Sequence, residues 1–76
     1  MKRELLQKLR KKNNLTQQEV AEILEITPVF YGMIERGERN PSLELAKKIA
    51  DLFDSTIDEI FFNTKLYKLY NGQSTA

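Results

Sequence analysis

Two helix-start signals fall so close together in this chain that only one short helix fits between them. Thr16-Gln17-Gln18-Glu19 is a capping box: the threonine hydroxyl takes the third amide of the helix and the glutamate reaches back to the cap amide. Ile26-Thr27-Pro28 is the second signal. Threonine suits the cap, and proline suits the first helical position because its missing N–H costs nothing there. Val20, Ala21 and Leu24 form the buried stripe of the first of these helices. The second runs to about Arg36, where Gly37 is placed to end it in a left-handed conformation. Helices this short, joined this tightly, bury their stripes together only by crossing steeply. Val20, Leu24, Ile26, Tyr31 and Ile34 supply the apolar set, and Ala21 is the small residue where the two backbones come closest. Two adjacent helices of any small bundle fit the same pattern.

The apolar period is helical almost throughout, so the expected class is all-α, a compact five-helix bundle. The first helix covers roughly residues 2–12 with Leu5, Leu6 and Leu9 on one stripe, and Asn13-Asn14 breaks it. Asn40-Pro41 is a turn, and Ser42 caps a fourth helix over 43–53 with Leu43, Ala46, Ile49, Ala50 and Phe53 inward. Thr56-Ile57-Asp58-Glu59 reads as a second capping box opening a short fifth helix, with Ile57, Ile60 and Phe61 inward. Residues 62–76 form an aromatic tail. Within it, Lys65-Leu66-Tyr67-Lys68-Leu69-Tyr70 fits a helical stripe and strand alternation equally, and 71–76 reads as a loose, disordered end.

Composition removes whole classes of chemistry. The chain has 76 residues with no cysteine, histidine or tryptophan. Disulfides, Ser–His and Cys–His catalysis and nitrogen- or sulfur-ligated zinc are excluded. There is no glycine-rich phosphate loop, and Asp54 and Asp58 read as solvated carboxylates rather than a metal pair. No catalytic residue, metal or cofactor is expected, and the protein is expected not to be an enzyme. No apolar run exceeds three residues and the start lacks the apolar stretch of a signal peptide, so a cytoplasmic protein is expected with no membrane span and no small-molecule ligand domain. The net charge is only +1, but residues 1–12 carry 6 − 1 = +5 while Glu19, Glu22 and Glu25 give 13–30 a charge of −3. Charge runs are usually solvated faces; here they also suit a protein with one positive side toward a polyanion.

Residues 6–61 resemble the Cro and lambda-repressor type of helix-turn-helix domain, the Xre-like family of bacterial and phage regulators. The resemblance is carried by Leu9-Arg10, Leu15-Thr16-Gln17-Gln18-Glu19-Val20-Ala21, Ile34-Glu35-Arg36-Gly37, Asn40-Pro41-Ser42-Leu43, Ala46-Lys47-Lys48-Ile49-Ala50 and Asp58-Glu59-Ile60-Phe61. The helix-turn-helix motif itself spans 17–36. What the resemblance implies is a protein that binds double-stranded DNA with its third helix in the major groove and the start of its second on the phosphate backbone. Thr27, Pro28, Val29 and Met33 fall where family members face base edges, with Phe30 and Gly32 flanking that surface. Gln17, Arg36, Arg39 and Asn40 fall where the family contacts phosphates. Arg10 and Glu35 occupy positions that form a structural ion pair in related repressors.

Two features depart from that family. Glu25 stands where glycine is usual in the turn, and a left-handed glutamate there costs about 1 kcal/mol relative to glycine. The reading surface is apolar and offers no bidentate contact to guanine or adenine. Such a face suits thymine methyls and shape readout, or a protein partner. The family binds as dimers, and Phe61, Phe62, Leu66, Tyr67, Leu69 and Tyr70 are the candidate dimer contacts; a tail folded back over the first and fifth helices is the other reading. The expectation is a small transcriptional regulator, a repressor acting as a homodimer on an operator. The alternative is a protein-interaction module of antitoxin or anti-repressor type.

Overall fold

A computed structural model describes residues 2–62. They form α1 (Glu4–Lys12), α2 (Gln17–Leu24), α3 (Pro28–Arg36), α4 (Leu43–Leu52) and α5 (Ile57–Phe61), with no strand among the described residues. Hydroxyl side chains start the last four of these. Thr16, Thr27, Ser42 and Thr56 each accept from the amide three residues on, at 3.0–3.1 Å. The capping box at α2 is complete, since Glu19 Oε1 accepts from the Thr16 amide at 2.9 Å. At α5 the Glu59 carboxylate accepts from the hydroxyls of Ser55 and Thr56 at 3.0 and 3.2 Å. The first helix has no side-chain cap and begins at Glu4, two residues later than the expected start at residue 2. The cause is tertiary: the Arg3 amide donates to the Glu35 carbonyl at the end of α3, 2.8 Å away, which draws Arg3 out of helical geometry.

The four joints between helices are closed alike. Asn14, Glu25, Gly37 and Asp54 have φ of 59°, 61°, 77° and 53°, all left-handed. At each, the residue after the left-handed one donates back across the last turn: Leu15 to Arg10, Ile26 to Ala21, Glu38 to Met33, Ser55 to Ala50, at 2.9–3.2 Å. The left-handed amides themselves reach Lys11, Glu22, Ile34 and Asp51 at 3.0–3.2 Å. This is the Schellman closure, which satisfies carbonyls a helix end would otherwise leave bare. Asparagine and aspartate tolerate the left-handed region, but glutamate gains nothing from it. Glu25→Gly is therefore expected to stabilise the domain by about 1 kcal/mol, raising its melting temperature by about 4–8 °C in a circular-dichroism melt. An unchanged melt would mean that the turn holds Glu25 without strain.

The core gathers Leu6, Val20, Ala21, Leu24, Tyr31, Ile34, Ile49, Ala50, Phe53 and Ile60, with Leu9, Ile26, Ile57 and Phe61 half-buried against it. Two expected core positions lie outside. Leu5 is 39% exposed, and Leu43 is 75% exposed. Leu43 continues the stripe of α4 by period, yet no helix among the described residues covers it. Instead it borders an open groove of about 400 Å³ with Pro41, Ile57, Phe61 and Phe62. The helix itself ends at Leu52, with Phe53 as its buried cap residue. No helix among the described residues is long and apolar enough to cross a membrane.

Candidate nucleic-acid interface

The Thr27 cap and Pro28 fix where α3 starts, and therefore which of its side chains face out. Val29, Met33 and Arg36 recur at helical spacing and share one face. Val29 is 67% exposed, Pro28 and Thr27 are exposed, and Met33 and Phe30 are half-buried. The Thr27 oxygen is occupied as a cap, accepting from the Phe30 amide at 3.1 Å, which leaves its O–H to donate outward. Gly32 is buried rather than part of the open face. A Cβ there would lie 3.2 Å from Arg36 Nη1 and 3.5 Å from Gln17 Oε1, so the glycine lets these side chains lie across the helix.

On the opposite side of α3 a polar cluster is buried in the fold. Arg10 Nε donates to Glu35 Oε2 at 2.6 Å, and Arg10 Nη2 to Glu35 Oε1 at 3.3 Å. A third bond runs from Arg10 Nη1 to the Leu15 carbonyl in the joint after α1, at 3.0 Å. Gln17 Nε2 donates to Glu35 Oε1 at 3.1 Å, so this pair also orients the first residue of α2. Burial alone would raise the Glu35 carboxyl, but the bonds from Arg10 and Gln17 outweigh it and hold it below the usual carboxylate range. The Tyr31 hydroxyl is enclosed beside them, with no hydrogen-bond partner among the described residues; burial and the Glu35 charge keep it protonated.

The four phosphate candidates are not equivalent. Gln17 is held by Glu35, with its second Nε2 hydrogen left to donate. The Asn40 Oδ1 accepts from Arg3 Nη2 at 2.5 Å, which turns its amide nitrogen away from that contact. Arg36 is engaged by Glu38 at 2.9 Å in a pair that is about half exposed. The Arg39 guanidinium is exposed and has no ion-pair partner among the described residues.

Sequence reading missed Arg3. Its guanidinium donates to the Ile34 carbonyl at 2.5 Å and to the Arg39 carbonyl at 3.3 Å, and it lies 5.0 Å from the centre of the Phe61 ring. One side chain thus ties the start of the chain to the end of α3, the following loop and α5. No local pattern signals this, because its partners lie more than 30 residues away. Of the dimer candidates, Phe61 is half-buried under Arg3 and Phe62 is 59% exposed, while Leu66, Tyr67, Leu69 and Tyr70 lie outside the described residues.

A tightly joined helix pair with an exposed second helix, pinned from behind by a buried ion pair, defines the class of helix-turn-helix domains. The pattern of the Helix-turn-helix family matches residues 6–60, and the chain belongs to that family, in its Cro and lambda-repressor branch. It is 45% identical over 60 residues to the HTH-type transcriptional regulator AnsR of Bacillus subtilis (strain 168), covering 79% of this chain and 52% of that one. Another relative in the same organism, the uncharacterized HTH-type transcriptional regulator YqaF, is 44% identical over 59 residues, 75% of this chain and 78% of its own. The HTH-type transcriptional activator BcrR of Enterococcus faecalis is 38% identical over 73 residues, 96% of this chain and 36% of its own length. The chain therefore spans about half of AnsR and about a third of BcrR.

Proposed function

We propose that this protein binds double-stranded DNA sequence-selectively through α3 and regulates transcription, acting as a repressor that occupies a promoter as a homodimer. The observation that carries this reading is the outer face of α3. It is exposed, and around it stand amide donors already oriented by Glu35 and Arg3 together with Arg39, which has no ion-pair partner among the described residues. Binding rather than catalysis is the role these groups account for. Repression follows from occupancy alone, which needs no surface beyond the one that meets DNA. The dimer reading is supported by the groove beside α5, where no described residue covers the apolar surface of Leu43, Ile57, Phe61 and Phe62. Residues 6–61 would then be the DNA-reading domain and 62–76 the dimer contact.

The test is an anisotropy titration against duplexes tiling the region upstream of the protein's own gene, at 50 and 200 mM salt. One fragment binding far tighter than the rest, with a steep loss at higher salt, is expected. Arg39→Ala should weaken binding to every duplex alike and lower the log–log salt slope by about one. An unchanged slope would remove Arg39 from the phosphate contacts. The second reading, a protein-interaction module, draws on the same apolar residues Pro28, Val29, Phe30 and Met33. Uniformly weak binding to all fragments would favour it.

A further inference from the structure

The exposed side of α3 is poor in hydrogen-bonding groups. Its sequence from Pro28 to Arg36 contains three side chains with a polar head, Tyr31, Glu35 and Arg36. Tyr31 and Glu35 are buried. Arg36 lies at the last turn and is engaged by Glu38. The Thr27 hydroxyl, already accepting from the Phe30 amide as a cap, is the one small polar group beside them. What α3 holds out along its first two turns is the Pro28 ring, the branched Val29 side chain and the edge of Met33. A major-groove base edge that rewards such a face is the C5 methyl of thymine, the one apolar group among the edges of the four bases. Valine meets it with a single stiff rotamer, and methionine adapts beside it.

We propose that the protein selects its DNA chiefly by thymine C5-methyl groups packed against Val29, with Met33 completing the contact, rather than by hydrogen bonds to base edges. This rests on the DNA-binding reading above. It also makes 5-methylcytosine, which carries the same methyl at the same place in the groove, a partial substitute for thymine at the contacted position. Cytosine-5 methylation of a cytosine-bearing variant site then strengthens binding instead of blocking it.

The experiment starts with duplexes enriched from a random-sequence pool by the purified protein. The enriched site is resynthesised with deoxyuridine replacing one thymine at a time, a change that removes the methyl and leaves every hydrogen-bonding edge. Uracil is expected to weaken binding about fourfold at one or two positions in each half-site, the worth of one buried methyl. At those positions 5-methylcytosine·guanine should bind more tightly than cytosine·guanine by a similar factor. Val29→Ala should bind the thymine and uracil duplexes alike, and it should melt as the parent does because the side chain is 67% exposed. A site that tolerates uracil everywhere would overturn the inference and leave the DNA-binding reading standing. So would a uracil penalty that persists in both Val29→Ala and Met33→Ala. A pool from which no sequence is enriched would overturn both.

Discussion

Replacing Arg10 with methionine should cost this domain about 3 kcal/mol or more and lower its melting temperature by at least about 12 °C. The side chains of Arg10 and Glu35 are only 11% and 4% exposed, and Glu35 is the one charged residue among the buried positions described. Removing the guanidinium leaves a carboxylate enclosed with Gln17 as its remaining partner and also strips the Leu15 carbonyl of its donor. A chain of this length has a total stability of about 4–11 kcal/mol, so the loss is a large share of it. Replacing both partners, Arg10→Met with Glu35→Leu, should recover most of the loss, because the penalty comes from the unpaired charge.

The pH response of these proteins separates pairing from simple packing. In the parent, Glu35 titrates below its ordinary value, so the unfolded chain binds the proton more readily. That contribution to stability is full above the ordinary carboxylate range and is lost as pH falls through the folded value. In Arg10→Met burial dominates and raises the Glu35 carboxyl instead. The sign reverses, and acidification from neutral pH toward the carboxylate range should stabilise the variant while the Glu35 contribution in the parent stays full. Melts at pH 7 and pH 5 read the difference. If both proteins respond to pH alike, the ion pair does not set the charge state of Glu35.

Val29→Glu should abolish specific DNA binding, with a loss of about a hundredfold or more, while leaving the fold intact. The side chain is 67% exposed, and a carboxylate in the first turn of α3 is favoured by the helix dipole, so the melting temperature should hold or rise slightly. In a groove walled by phosphates the same charge is repelled and stripped of water, at a cost of several kcal/mol. Affinity that survives Val29→Glu would place some other surface against the duplex. Unlike Arg10→Met, this substitution tests the interface without touching the scaffold.

The helices were readable because their boundaries are set by neighbours in sequence. Thr16, Thr27, Ser42 and Thr56 cap the helices they precede, and Gly37 turns left-handed at the end of α3, since each acts within a few residues of itself. The resemblance extended that local reading to Arg10 with Glu35, a contact spanning 25 residues that no local rule reaches. Where neither source helped, period alone misled. Leu5 and Leu43 sit on the correct stripes, but a stripe says which way a residue faces, not whether another helix arrives to cover it. Arg3 looked like one cation of a basic run, although it organises the loop that carries Arg39 and Asn40. Gln17 and Asn40 were legible as polar groups placed where the resemblance expects phosphate contacts. That Glu35 and Arg3 hold them in place was not, since the orientation of an amide depends on partners far along the chain.

Every helix described is ten residues or shorter, and helices of that length do not persist alone in water. The joints cap their ends but do not make any of them self-sufficient, so α3 exists only while the whole assembly does. On the DNA-binding reading, a duplex that meets only the assembled form stabilises all of it at once. At a hundredfold excess over Kd the gain is about 2.7 kcal/mol. Proteases that cut the transiently opened chain would then find occupied copies nearly a hundred times less open than free ones. The lifetime of each copy would depend on whether it is seated on its site.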